Sequence, residues 1–185
     1  ASAPTFSLLP AKIAAANTHK FYKGDGVKQL DTGYVDAVQA ASLAASQWVG
    51  VFSACEYLSN SFGRRIPSPY FPGGDTSQDV DALLVPLISA TPQLFVAQTL
   101  LTSAAFADIG ANVDIAYAAG TAYTGYSQSA LTIDMGTKGT TATLPFRIVD
   151  LWSNRSAPGT PGTDDSSNYN WVVVEFNSNQ QTGLN

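Results

Sequence analysis

The sequence predicts a mainly β fold: a single-domain β-barrel or β-sandwich with long loops and an extended N-terminal arm. Short segments rich in Val, Phe, Tyr and Trp recur along the chain, and turn signals containing Gly, Pro, Asn or Asp separate them about every ten residues. A chain of 185 residues can bury a substantial core in one domain. We therefore expect an arm at residues 1–17 and a single β-rich domain at residues 18–185.

The first ten residues predict a contact arm that lies outside the core. Prolines at positions 4 and 10 disfavour a helix, and the segment lacks the alternation of a paired strand. Phe6, Leu8 and Leu9 are its apolar residues, so we expect them to contact a partner or a second copy of the chain.

The segment Gln47–Tyr57 predicts a central strand that is buried on much of both faces. It is apolar and rich in β-forming residues, and Trp48 and Phe52 share one parity along it. Residues 66–74 follow as a proline-rich extended loop, on which Tyr70 and Phe71 are further candidate contact residues.

Other segments predict strands around this one. Residues 19–30 indicate strand, turn and strand, with the turn at Gly24-Asp25-Gly26, and residues 34–38 indicate another short strand. The alanine-rich segment 40–46 fits either a helical turn or a loose connection.

The second half of the chain predicts a hairpin and two clear strands. Residues 82–88 and 93–100 are apolar and separated by a short polar connection, which favours a hairpin. Residues 144–152 and 168–176 are expected to form strands, with Trp171 buried and a long exposed loop at 153–167 between them.

Charge and composition argue against two classes of partner. The net charge is −5 and only 12% of residues are charged, so no basic stripe is available for nucleic acid. Residues 82–101 carry no charge, but Pro86 and Pro92 would break a membrane-spanning helix there. A lone cysteine, Cys55, fits a reducing compartment and an inert core position.

No residue constellation predicts catalysis, a metal site or a cofactor site. His19 is the only histidine and is expected at the surface, because zinc would need three or four gathered ligands. Residues 125–129 lack the final glycine of a nucleophile elbow. Asp75, Asp79 and Asp81 do not follow the order of a calcium loop. We therefore expect that the chain is not an enzyme.

A succession of short motifs resembles structural proteins of tailed-bacteriophage heads, of the capsid decoration (cement) type. The resemblance extends over roughly residues 20–185 and rests on these segments: 21–28, 48–57, 69–74, 106–112, 144–149, 171–177 and 182–184. It implies a virion protein that is made in the host cytoplasm and located on the capsid surface. Its partners would be the major capsid protein and further copies of itself, for example in a trimer.

Two other binding functions compete with this interpretation. One is a tail or neck component of the same virion. The other is a secreted carbohydrate-binding β-sandwich module, suggested by Trp48, Trp152, Trp171 and eight tyrosines. Exposed aromatic side chains on a flat face would favour the carbohydrate module, whereas buried ones would favour a structural role.

Overall fold

The computed structural model is mainly β, as predicted, and its strands pair in antiparallel sheets. By contacts the chain divides into two compact units, residues 1–39, 47–87 and 119–130 and residues 40–46, 88–118 and 131–185. The single domain expected at residues 18–185 stays a prediction. The structure describes residues 8–39, 47–87, 93–117, 121–123, 126–128, 131–152 and 165–177.

Among the described residues, ten strands belong to the first unit. They are β1 (Leu9–Ile13), β2 (Phe21–Tyr22), β3 (Gly26–Gln29), β4 (Val35–Ala37), β5 (Trp48–Ser59), β6 (Arg64–Ser68), β7 (Tyr70–Phe71), β8 (Val80–Pro86), β11 (Thr121–Tyr123) and β12 (Tyr126–Gln128). Six of them form one sheet in the order β1-β8-β5-β3-β4, with β6 also paired to β5. The pairs β2–β7 and β11–β12 form two small ribbons.

Phe52 lies at the centre of the first unit's core. Its side chain is 1% exposed, and its ring centroid lies 5.5 Å from that of Phe21. Phe21 in turn lies 6.1 Å from Phe71, and Tyr57 meets Phe71 edge to face at 5.5 Å. Tilted and edge-to-face pairs are the favoured aromatic arrangements, so this chain of rings joins β5 to the β2–β7 ribbon.

A β-bulge divides strand β5 into two halves of opposite parity. The register with β8 shifts between Phe52 and Ala54, so Ser53 is the extra residue. Trp48 and Phe52 are buried before the bulge, and Cys55 and Tyr57 are buried after it. One face of β5 is therefore buried along its whole length, while several residues of the other face are only partly buried.

Two glycines are needed around the start of β3. In the turn before this strand, Gly24 has a φ of 97°, a backbone conformation that would be strained for a residue with a side chain. A Cβ on Gly26 would lie 2.2 Å from the indole of Trp48, so only glycine leaves room for that buried ring. The predicted order of strand, turn and strand is confirmed here.

Five strands belong to the second unit. They are β9 (Leu94–Gln98), β10 (Asn112–Ala116), β13 (Thr132–Gly139), β14 (Phe146–Leu151) and β15 (Trp171–Phe176), in the sheet order β13-β10-β14-β15-β9. A short 3-10 helix at Phe106–Asp108 precedes β10. A parallel bridge between Thr99 and Ile133 joins the two ends of this sheet at one point, but a closed barrel is not shown by the described strands.

Strand β14 also contains a bulge, and it reverses the parity of the residues that follow. Its register with β15 shifts between Ile148 and Asp150, so Val149 is the extra residue. Ile148 and Leu151 are consequently both buried, although uninterrupted alternation would place them on opposite faces. The same shift leaves Trp152 exposed.

Residues 9–13 of the predicted N-terminal arm form a strand of the first unit's sheet. Leu9–Ile13 pairs with β8 in full antiparallel register, from Leu9 opposite Leu84 to Ile13 opposite Val80, and Ile13 is completely buried. Pro10 does not prevent this, because β1 ends the described sheet and an edge strand tolerates proline.

The predicted hairpin at 82–100 is wrong, although both of its strands exist. Strand β8 pairs with β1 and β5 in the first unit, and β9 pairs with β15 in the second. Proximity in the chain predicts that the two apolar segments pair, whereas each joins a strand that is remote in sequence. The predicted alternatives for residues 40–46, and most of the loop at 153–167, lie outside the described residues.

Two further predictions concern Cys55 and the possibility of a membrane-spanning helix. Cys55 is buried as predicted, and burial raises the pKa of its thiol to about 12, so it stays protonated and unreactive at neutral pH. None of the described helical segments has the length and hydropathy needed to cross a membrane.

The ring cluster around Phe52 should dominate the stability of the first unit. Phe52→Ala should lower the free energy of unfolding by about 3–5 kcal/mol, because the deletion leaves a cavity against Phe21. The matched control is Phe62→Ala, whose side chain is 70% exposed and which should change stability by less than about 0.5 kcal/mol. Urea denaturation measures both; equal effects would show that Phe52 is not central.

Candidate functional site

His19 is bound to a buried carboxylate, a contact that the sequence did not predict. Its Nδ1 lies 2.7 Å from Oδ1 of Asp36, a β4 residue whose side chain is 10% exposed. The same oxygen accepts hydrogen bonds from Asn17 Nδ2 at 3.0 Å and from the Ala37 amide at 2.8 Å. Lys28 Nζ lies 3.8 Å from Oδ2.

The chemistry of this group is that of a structural junction. A carboxylate on Nδ1 is the orienting half of a catalytic triad. Among the described residues, however, no serine or cysteine forms a hydrogen bond with the His19 ring. Asn17 also accepts the His19 amide hydrogen at 2.8 Å, so the polar group holds the segment before β2 against β4. Its donors converge on Asp36.

The three aspartates considered for calcium lie in separate hydrogen-bond groups. Asp79 accepts from the Ala15 amide at 3.0 Å and from the Tyr34 hydroxyl at 2.9 Å, which raises the pKa of Tyr34. Asp81 pairs with Lys12 and lies 3.7 Å from Arg65. The described residues hold no cluster of ligands that fits a metal ion.

Asp75 joins the turn after β5 to the loop that leaves β7. Its Oδ2 accepts from Ser59 Oγ at 2.5 Å, and its Oδ1 accepts from Ser61 Oγ at 2.7 Å and from the Ser61 amide at 3.0 Å. These bonds, with that from Ser59 the strongest, hold the pKa of Asp75 below its usual value because they favour the charged carboxylate.

An apolar surface, called here the leucine surface, lies at one end of β1 and β8. It consists of Leu8, Pro10 and Leu83, whereas Leu9, which lies opposite the buried Leu84, belongs to the other face of β1. Leu8 is 39% exposed and Leu83 is 40% exposed. Pro10 lies opposite Leu83 in register, so the two share one face, and Leu8 precedes Pro10 by two residues.

A row of charges borders the leucine surface on the same face. Lys12 lies opposite Asp81, and Asp81 lies opposite Glu56 across β8 and β5. Arg65 Nη1 lies 3.4 Å from Glu56 Oε1 and 3.7 Å from Asp81 Oδ2. The leucine surface is thus an exposed apolar patch beside charged side chains that are already paired with one another.

Of the predicted contact residues, Leu8 and Leu9 are exposed to solvent, whereas Phe71 is not. Phe71 is completely buried in the ring cluster, so it cannot contact a partner in the folded chain. Tyr70 is half-buried, with its ring centroid 5.1 Å from that of Tyr22. The loop prediction failed because 70–71 pairs as β7 with β2. Phe6 lies outside the described residues.

A second exposed surface, called here the tryptophan face, lies on the second unit. It is the outward side of three adjacent strands: Leu94, Val96 and Gln98 of β9; Trp171, Val173 and Glu175 of β15; and Arg147, Asp150 and Trp152 at β14. Trp152 and Trp171 are each 46% exposed, so the prediction that Trp171 is buried is wrong. The Trp152 amide donates to the Trp171 carbonyl at 2.9 Å, which places the two residues opposite each other.

Hydrogen bonds to Asn170 hold the start of β15 in place. Its side chain accepts from Thr99 Oγ1 and from the Ala104 amide at 3.0 Å each, and it donates to the Ala104 carbonyl at 2.8 Å. Tyr169 has a φ of 64°, an uncommon conformation for a residue with a side chain. With Asn170 directed inward, the strand alternation directs Trp171 outward.

The exposure of Trp171 had one signal in the sequence. The buried residues of β15 are Val172, Val174 and Phe176, so a strict period of two from Phe176 places Trp171 outside. The unbroken apolar run of β15 hid this alternation, because Val173 is apolar too. Trp152 had no such signal, since its exposure depends on the bulge at Val149.

The chain matches no protein family model, no curated protein and no solved structure.

Asp75 should make the first unit sensitive to acid. Its folded pKa lies below the ordinary value of 3.8, so its charged form stabilises the fold above that value, and this contribution is lost as the pH falls through the folded pKa. The substitution Asp75→Asn should lower the free energy of unfolding at pH 7. Between neutral pH and about pH 2, the free energy of unfolding of this variant should then decrease less than that of the wild type.

Urea denaturation at a series of pH values measures this difference. Asp31→Asn, an exposed turn residue, provides the matched control and should keep the wild-type pH profile. A profile for Asp75→Asn that runs parallel to that of the wild type would contradict the assignment.

Proposed function

We propose that the chain is a non-enzymatic structural protein of a bacteriophage virion, a decoration (cement) protein that binds the major capsid protein lattice. The observation that carries this proposal is the leucine surface, where aliphatic side chains are exposed to solvent beside the paired strands β1 and β8. The resemblance of motifs over residues 20–185 supplies the class of partner.

The position of the leucine surface supports attachment to another protein. Pro10 and Leu83 lie on hydrogen-bonded strands and Leu8 directly precedes β1, so binding orders little further backbone. Leu8 and Leu83 offer the partner apolar area without buried charge, while Lys12 and Arg65 are already paired with carboxylates. A partner that covers the leucines need not separate those ion pairs.

The energy available from this surface fits repeated, weak attachment. Full burial of one leucine contributes about 1.5–3 kcal/mol, so three partly exposed aliphatic side chains supply roughly 2–4 kcal/mol together. Micromolar binding needs about 8 kcal/mol. Contacts of this size stabilise a shell through repetition, because linked copies bind at high effective concentration. Oligomers of the chain, such as trimers, would add to this effect.

A tail or neck location is the nearest alternative, since a docking surface of this kind serves either place. Copy number separates them: a decoration protein is present in proportion to the capsid subunits, whereas a neck component is present in few copies.

Leu83→Asp should abolish attachment to capsids without unfolding the protein. A carboxylate at this outward position would be desolvated at the interface but remain hydrated in the free chain. The experiment adds purified protein to heads of the same phage that lack it, sediments the heads and measures the bound copies. Cryo-electron microscopy of the saturated heads then locates them.

Phe62→Asp is the matched control, because Phe62 is an exposed apolar residue of the same unit that lies outside the leucine surface. It should bind like the wild type, and circular dichroism should confirm that both variants fold. Undiminished binding by Leu83→Asp would overturn the leucine surface as the attachment site. Wild-type protein that binds no head would overturn the decoration function itself.

A further inference from the structure

We propose that the tryptophan face is a binding site for a neutral oligosaccharide with equatorial ring substituents. It uses side chains of the second unit alone and is independent of the attachment proposed for the leucine surface. The observation behind it is the pair of indoles, Trp152 and Trp171, held opposite each other on one exposed sheet face.

The paired indoles provide a wide aromatic surface. Directly opposite residues of antiparallel strands have Cβ atoms about 4.5–5.5 Å apart, so the two side chains are neighbours on the face. A pyranose ring with equatorial substituents presents a flat face of C–H groups, and such a face packs on an indole. Two adjacent indoles can hold two successive sugars of a chain.

Polar side chains surround the indoles, as the hydroxyl groups of a sugar require. Gln98 lies opposite Trp171 on β9, and Asp150 precedes Trp152 by two residues on the same side of the sheet. Arg147 and Glu175 lie opposite each other farther along. Carboxylates and an amide oxygen accept from hydroxyl groups, and a guanidinium donates to them, so both kinds of hydrogen bond are available.

The composition and charge of the face suit a neutral sugar and disfavour a nucleic acid. Two half-exposed tryptophans with Leu94 and Val96 offer roughly 350 Å² of apolar surface. Two carboxylates against one guanidinium give the face a net negative charge, which repels phosphates and acidic polysaccharides.

The support behind the indoles indicates that the site is formed before a ligand arrives. Asn170 fixes the start of β15 through three side-chain hydrogen bonds, and the Gln98 amide donates to the Tyr169 carbonyl at 2.9 Å. The bulge at Val149 fixes the outward direction of Trp152. A rigid platform loses little entropy on binding, which matters for a ligand that makes few contacts.

The test is isothermal titration calorimetry of the full chain with cellohexaose and with hexa-N-acetylchitohexaose. At least one of these should bind with saturation, and a sulfated heparin hexasaccharide should not. Trp171→Ala and Trp152→Ala should each weaken binding by about ten-fold or more, as loss of one aromatic stacking partner does. Trp171→Phe should retain part of the affinity, because it keeps an aromatic ring.

Phe62→Ala is the matched control, an exposed aromatic residue of the first unit, and should bind like the wild type. Thermal melts should confirm that the variants fold. The proposal is overturned if neither neutral hexasaccharide binds at millimolar concentration, or if both alanine variants bind as the wild type does. It is also overturned if sedimentation shows that the wild type self-associates and Trp171→Ala does not, because a second copy would then cover the face.

Discussion

Both exposed surfaces and the main core depend on the period-two alternation of side chains along a strand, and on where single extra residues interrupt it. In β5 the bulge at Ser53 allows Phe52 and Cys55 to face the same core, three residues apart. In β14 the bulge at Val149 buries both Ile148 and Leu151. A one-residue slip moves every later side chain to the other face. The bulges therefore decide which aromatic residues stabilise the fold and which remain available for binding.

This dependence explains how much could be predicted from the sequence. The mainly β class followed from turn signals and apolar segments, which are local features, and so did the burial of Phe52. Pairing partners are not local: β8 and β9 are neighbours in the chain but belong to different sheets. Bulges leave no distinct pattern in an apolar run, so the exposure of Trp152 could not be read from spacing. The contact between His19 and Asp36 joins residues of different segments and was missed for the same reason.

The buried polar groups serve mainly to position backbone. Asp36 gathers donors from the segment before β2, from β3 and from its own strand, and Asn170 does the same for the loop after β9. A buried polar side chain that lost these partners would cost about 1–3 kcal/mol, so each group specifies one arrangement of its loop. The polar groups around Asp36 and Asn170 thus hold loops in place, whereas the two surfaces proposed for binding consist mainly of aliphatic and aromatic residues.

The two surfaces differ in chemistry, and the difference argues for different ligands. The leucine surface offers aliphatic groups and a proline, none of which can bond a hydroxyl group, beside ion pairs that are already satisfied. Such a surface gains energy only by excluding water against another apolar surface, which a folded protein provides. The tryptophan face combines aromatic rings with acceptors and a donor, so it can satisfy a ligand that has both C–H faces and hydroxyl groups. Because both surfaces lie on paired strands, each can select its ligand by shape as well as by composition.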